Sequence, residues 1–152
     1  MREIPGMKDS FREASVVYLV SFGVKNEKHS RPMTNFNKDP YSKIWFPTYK
    51  DTQKVNDIKK NEKVLIIFPD SKKDQFYQIE GKAGFEDPEV TREKWRWWYL
   101  YWHPEMRDRF WFNPQVGEEN RMIINVHPVK ASILTKSEVE YISQGYKSII
   151  PE

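Results

Sequence analysis

The chain has 152 residues, 25 Lys and Arg against 22 Asp and Glu, and no cysteine. That length suits one domain, residues 1–152, with a self-sufficient core. The missing cysteines exclude disulfides and thiolate metal sites, and a net charge of +3 with its signs interleaved does not point to nucleic acid or another polyanion.

Aromatic residues reach 15%, which argues against disorder and calls for a core, an interface or a flat ligand to cover them. The opening MREIPGMKDSFREAS is charged and lacks the apolar centre of a secretory signal. No apolar run approaches the roughly 20 residues that span a bilayer. A soluble cytoplasmic protein without a membrane partner is expected.

Residues 15–23 (SVVYLVSFG) are β-branched and aromatic and stop at a glycine, the pattern of a buried strand. A polar turn over 25–28 leads to a return strand over 29–36, where Pro32 demands an edge or a bulge. After the connection NKDPYS, residues 43–47 (KIWFP) form a third strand. Asp51 or Thr52 caps a helix that runs through Asn61, with Val55 and Ile58 on one face. KVLIIF over 63–68 is a strand halted by Pro69, and 75–85 is a long strand in which Gly81 and Gly84 suggest bulges. Asp87-Pro88-Glu89 opens a helix that ends near Trp102, before Pro104. Residues 122–126 and 129–134 make a last strand or strand pair, broken at His127-Pro128, and Ser137 starts a short terminal helix. About six strands without βαβ alternation imply a mainly β fold, a β-barrel with flanking helices. GxGxxG and Walker loops are both absent.

The stretch Phe46–Val55 carries the most chemistry. A strand delivers Pro47 and Thr48, and a helix begins at Thr52, Gln53 and Lys54. Free N–H groups at a helix start, hydroxyls and an ammonium suit a phosphate, and Arg31 could add a guanidinium fork. A plainer reading of the same spacing makes Thr52 an N-cap and Lys54 a solvated charge.

The order Arg31-Pro-Met33, Trp45-Phe-Pro-Thr48, Asp51-Thr-Gln-Lys54-Val, then KVLIIF and Ile79-Glu-Gly81 resembles the pyridoxamine 5'-phosphate oxidase-like superfamily. The branch it is most similar to includes the general stress proteins, and residues 15–86 carry the likeness. The resemblance implies a split β-barrel of the FMN-binding type, acting as a homodimer with each FMN held between both chains. It also implies that Arg31 begins a flavin-lining strand, with Pro32, Met33 and Thr34 following along the ring, and that Thr48 reaches the phosphate region. Thr52-Gln53-Lys54 stands where the family has Ser-Arg-Lys, so one cation of the phosphate grip is replaced by a neutral amide. Vitamin B6 oxidation itself is not expected. The oxidases carry a Lys five residues after the Arg, where this chain has Phe36, and the ending GYKSIIPE lacks their basic signature.

A second feature is the run Lys94–Trp102, continued by Phe110-Trp111-Phe112. On a helix Trp95, Trp98, Tyr99 and Trp102 share one face while Trp97 and Tyr101 project elsewhere. Packing on the barrel and at a dimer interface accounts for the rings. The functional alternative is that Trp111 or Phe112 from the partner chain covers the flavin. His29, His103 and His127 form no metal-binding pair, and no metal site is expected. Three functions stay open. The first is an FMN-dependent oxidoreductase acting on a small-molecule redox substrate, with no acid or base residue that can be named. The second is a non-catalytic carrier or stress protein holding flavin, deazaflavin or haem. The third, less favoured, is a barrel that stacks single-stranded nucleic acid on its tryptophans.

Overall fold

The computed structural model describes residues 1–102 and 120–142. In chain order these form α1 (Met7–Glu13), β1 (Val16–Phe22), β2 (Lys28–Thr34), β3 (Ile44–Tyr49), α2 (Gln53–Lys60), β4 (Lys63–Pro69), β5 (Phe76–Phe85), α3 (Pro88–Trp102), β6 (Arg121–Leu134) and α4 (Lys136–Ile142). The six strands make one sheet in the order β2-β1-β4-β5-β6-β3, antiparallel at every pairing. The sheet curls into a half-barrel, so the fold is mainly β and of the split-barrel type.

The two prolines within β2 and β3 explain which strands end the sheet. Pro32 and Pro47 cannot donate to a ladder on both sides, and the strands holding them are the two edges. Past the end of β2, the Asn37 side chain bonds to β3 as a strand neighbour would. It accepts from the Trp45 N–H at 3.1 Å and donates to the Trp45 carbonyl at 3.0 Å.

β4 is apolar on both faces because both faces are covered. Val64, Ile66 and Phe68 enter the interior beside Leu19, Phe46, Ile79 and Ile124. Leu65 and Ile67 join Val20, Phe22, Phe76 and Leu134 on the outer face, where Val139 of α4 packs. Thr135 and Glu138 cap α4 reciprocally, each side chain bonding the other residue's backbone N–H. The helix therefore begins one residue before the expected Ser137.

Two elements depart from expectation. α1 has no amphipathic run long enough to be read, yet Met7 and Phe11, one turn apart, are fully buried, with the Phe11 ring edge-on to Phe68 at 5.1 Å. β6 passes straight through His127-Pro128 as one strand. The register shifts between Glu80 and Gly81, which face Lys130 and Pro128, so Val129 is the extra residue of a bulge. Gly81 is what admits it. A Cβ there would lie 2.5 Å from Val126 Cγ1 and 3.0 Å from the His127 carbonyl oxygen. Gly81→Ala is expected to cost about 1–3 kcal/mol, read as a lower urea midpoint at unchanged slope.

Asp70 ties the β4–β5 turn. It accepts from the N–H groups of Lys72 and Lys73, from Gln75 Nε2 and from the Tyr77 hydroxyl. Burial alone would raise this carboxyl, but donation from Lys72, Gln75, Tyr77 and Lys73 outweighs it and holds the pKa at about 2. A depressed carboxylate contributes stability that is present above its unfolded value and lost as pH falls through its folded one. Asp70→Asn should therefore lose on the order of 1–2 kcal/mol at neutral pH. Parallel acid titrations by circular dichroism should show wild type and variant converging between about pH 4 and pH 2.

Among the described residues, no helix is long and apolar enough to cross a membrane.

A candidate anion site at the start of α2

α2 packs against β1 and β5 because its apolar residues lie on one side. Val55 and Ile58 are buried, and Ile58 joins the interior cluster. Thr52 is the N-cap; its hydroxyl accepts from the Val55 N–H at 3.4 Å and donates to the Tyr49 carbonyl at 3.1 Å. The first turn carries no acidic residue, and the nearest acid before it is Asp51, which directly precedes the cap.

Beneath this helix sits a buried carboxylate. Asp57 is 3% exposed and accepts from three side chains: Ser21 of β1 at 2.7 Å, His29 Nδ1 of β2 at 2.6 Å and Gln53 Nε2 at 2.9 Å. Ser21 and His29 meet because they are direct cross-strand partners, while Gln53 is one turn from Asp57 on α2. Burial would raise the Asp57 pKa, but the bonds from Ser21, His29 and Gln53 lower it. An ionised carboxylate only accepts, so Nδ1 of His29 carries a proton. Its Nε2 lies 3.6 Å from the Glu27 carboxylate. Gly23 makes room for this arrangement, since a Cβ there would stand 2.6 Å from His29 Cε1.

Arg31 is attached to the same network. Its Nη1 donates to the Ser21 hydroxyl at 2.8 Å, so the chain of contacts runs Arg31–Ser21–Asp57. Lys54, on the first turn of α2, is near enough to feel it. Burial first, and then repulsion from Arg31, lower the Lys54 pKa. Among the described residues, no carboxylate lies within ion-pair distance of Lys54. Thr48 is 4% exposed, on the same side of β3 as Ile44 and Phe46, and among the described residues its buried hydroxyl has no hydrogen-bond partner.

The residues expected to hold a cofactor are thus distributed unevenly. Arg31 and Lys54 come together with the N-terminus of α2. Gln53 is adjacent, but its amide is turned onto Asp57. The alternation of β2 puts Met33 on the side of Arg31, packed against the interior cluster, while Pro32 and Thr34 are exposed on the other side. Pro47 likewise alternates with Thr48 on β3. Trp111 lies outside the described residues, as do Phe112 and His103. On α3, Trp95 packs on the barrel, donating its indole N–H to the Met122 carbonyl at 3.0 Å, and Trp97 faces elsewhere. Ser21, His29 and Asp57 went unread as site residues. The available signal was Asp57 itself, an acid beside the apolar positions Val55 and Ile58.

Chemically, the site offers two cations that repel each other and a helix whose first turn carries no acid. These suit a phosphate. Among the described residues, no group of three or more His, Asp or Glu side chains is gathered for a metal ion.

The family model described as "pyridoxamine 5'-phosphate oxidase like" matches residues 3–150, and the chain belongs to that family. No curated protein matches it. Among solved structures it is similar to a putative pyridoxamine 5'-phosphate oxidase from Listeria innocua, at 19% identity and a TM-score of 0.60, covering 84% of this chain and 94% of that one. General stress protein 26 from Bacillus anthracis aligns at 18% identity and a TM-score of 0.56, covering 84% and 93%. A structure named F420 reductase aligns at 19% identity and a TM-score of 0.60, covering 86% and 98%. At these identities the likeness shows the split-barrel fold.

Proposed function

We propose that the chain is an FMN-binding flavoprotein, with the phosphate held at Arg31, Lys54 and the start of α2, and that it works as a homodimeric oxidoreductase. The observation that carries this reading is the placement of Lys54 beside Arg31, half-buried and mutually repelling, at a helix whose first turn carries no acid. A phosphate monoester there removes the repulsion and meets the positive end of the helix. Asp57 holds Ser21, and Ser21 holds Arg31, so the guanidinium is oriented before a ligand arrives. The bound flavin supplies the redox chemistry, while the protein supplies anchoring, orientation and exclusion of water. Family membership supports the reading as a whole.

The test is titration of the purified chain with FMN, followed by flavin fluorescence, with light scattering on the same sample. Saturation at about one FMN per chain on a dimer is expected, with affinity lowered about tenfold or more by Arg31→Ala. No saturable quenching, or an Arg31→Ala variant that binds as wild type does, overturns the assignment. The neutral Gln53 and the neighbour named F420 reductase support a second reading, in which F420 replaces FMN. Competition between the two for the same chain decides it.

A further inference from the structure

Positive charge is gathered on the outer face of the sheet, at the end where β4 begins. One row there crosses five strands: Lys28 of β2, Phe22 of β1, Lys63 of β4, Lys82 of β5 and His127 of β6. Phe22 faces Lys28, Lys63 faces Lys82, and Lys82 faces His127, while the Lys63 ammonium lies over the Phe22 ring at 5.3 Å. The bulge at Val129 puts His127 in this row, and the next row adds Lys130, opposite Glu80. Lys63, Lys82, His127 and Lys130 are exposed, and Lys28 is partly so.

Few carboxylates answer these cations. Glu80 lies 3.7 Å from Lys63. Among the described residues, Lys28, Lys82 and Lys130 have no carboxylate within ion-pair distance. Glu27 is drawn to His29 on the other face, and Glu62, which directly precedes Lys63, belongs to that face by the two-residue alternation. Glu86, farther along, is paired with Lys43. Lys63 and Lys82 are therefore like charges directly opposite each other, an arrangement that weakens a sheet. A local rule broken in this way is what functional surfaces carry.

Neighbouring strands are about 4.8 Å apart, so the row from β2 to β6 runs about 19 Å. A small anion meets two of its cations at most, whereas a chain of anions meets all of them. Carboxylates on consecutive or alternate residues of an extended polypeptide recur every ~3 to 7 Å, a spacing that flexible lysine stems can follow. A single-stranded nucleic acid would also need open rings on which to stack its bases. The aromatic side chain of the row, Phe22, is 6% exposed and lies under Lys63, which favours carboxylates over bases.

We propose that this row docks an acidic segment of a partner polypeptide, its carboxylates set against Lys28, Lys63, Lys82 and Lys130. The surface lies on the opposite face of the sheet from Arg31 and does not rest on flavin binding. Titration of the whole chain with poly-L-glutamate at low and high salt tests it, with oligodeoxythymidylate and inorganic phosphate at matched charge as competitors. Saturable binding of poly-L-glutamate that weakens steeply with salt is expected. Lys82→Glu should lower that affinity about tenfold or more and raise the urea midpoint, because an attracting pair replaces a repelling one. Lys82→Met, which only deletes the charge, should lose several-fold. Lys72→Glu makes the same change of net charge in the exposed β4–β5 turn, at the other end of these strands, and should bind as wild type does, as should Arg31→Ala. Absence of saturable binding at low salt overturns the proposal. Equal weakening by Lys72→Glu also overturns it, by reducing the effect to overall charge, and loss of binding in Arg31→Ala does so by assigning it to α2. Preference for oligodeoxythymidylate overturns it in favour of a nucleic acid, and displacement by inorganic phosphate in favour of a small-anion site. A chain that takes up no FMN sinks the flavin reading alone, since poly-L-glutamate is titrated without it.

Discussion

Replacing Asp57 with alanine is expected to lower the unfolding free energy by about 3 kcal/mol and to weaken phosphate binding at Arg31 together with it. The two effects have one cause. The substitution removes the acceptor for Ser21, His29 and Gln53, and Ser21 is fully buried. Buried donors left without a partner cost about 1–3 kcal/mol each, less where water can reach them. His29 and Gln53 are partly open to solvent, so the sum falls well below three full penalties. Arg31, which donates to Ser21, then loses the support that fixes its guanidinium. The pH dependence has a definite sign. The Asp57 carboxyl is held below its ordinary value, so its contribution is present above the unfolded pKa of about 3.9 and is lost as pH falls through the folded one. Urea unfolding of wild type and Asp57→Ala should give midpoints that differ at pH 7 and converge in acid. An FMN affinity unchanged in this variant would show that Arg31 is oriented by something other than the Ser21–Asp57 chain.

The strands could be read from the chain because their signals are local. β-branched runs ending at Gly23, Pro69 or a polar turn need only neighbouring residues to define them, and Pro32 called for an edge or a bulge in β2 for a covalent reason, whereas nothing local marked β3 as the other edge. α1 escaped because seven residues with two apolar positions carry too little periodicity; burial of Met7 and Phe11, rather than propensity, makes it a helix. The Asp57 network escaped for another reason. Residues 21, 29 and 57 meet through the β1–β2 register and the docking of α2, and that register depends on a turn in which Lys25 and Asn26 both take positive φ. Contiguity misled at β2 as well. Arg31, Pro32, Met33 and Thr34 are consecutive, yet the strand's two-residue period divides their side chains between opposite faces.

Lys54 is expected to show the opposite balance from Asp57, weakening the ligand-free fold while strengthening phosphate binding. Its charge is disfavoured by burial and by Arg31, so Lys54→Met, which keeps a long apolar stem, should leave the ligand-free chain as stable or stabilise it by up to about 1 kcal/mol. The same change removes one charge-assisted bond to phosphate, worth about 1.5–3 kcal/mol, and should weaken FMN by about 10- to 100-fold. A lysine whose folded pKa lies below its unfolded value binds fewer protons when folded. Stability therefore rises with pH between those two values. Wild type should gain on Lys54→Met as pH is raised through the folded pKa toward about 10.4, and the two should then become equal. Charge repulsion cannot be the defect of the ligand-free site if Lys54→Met destabilises it at pH 7. FMN bound as tightly by the variant as by wild type would place the phosphate elsewhere. A stabilised chain with weakened FMN is the result that only a cation kept for an anionic ligand produces, because a lysine kept for the fold would lose stability on the same substitution.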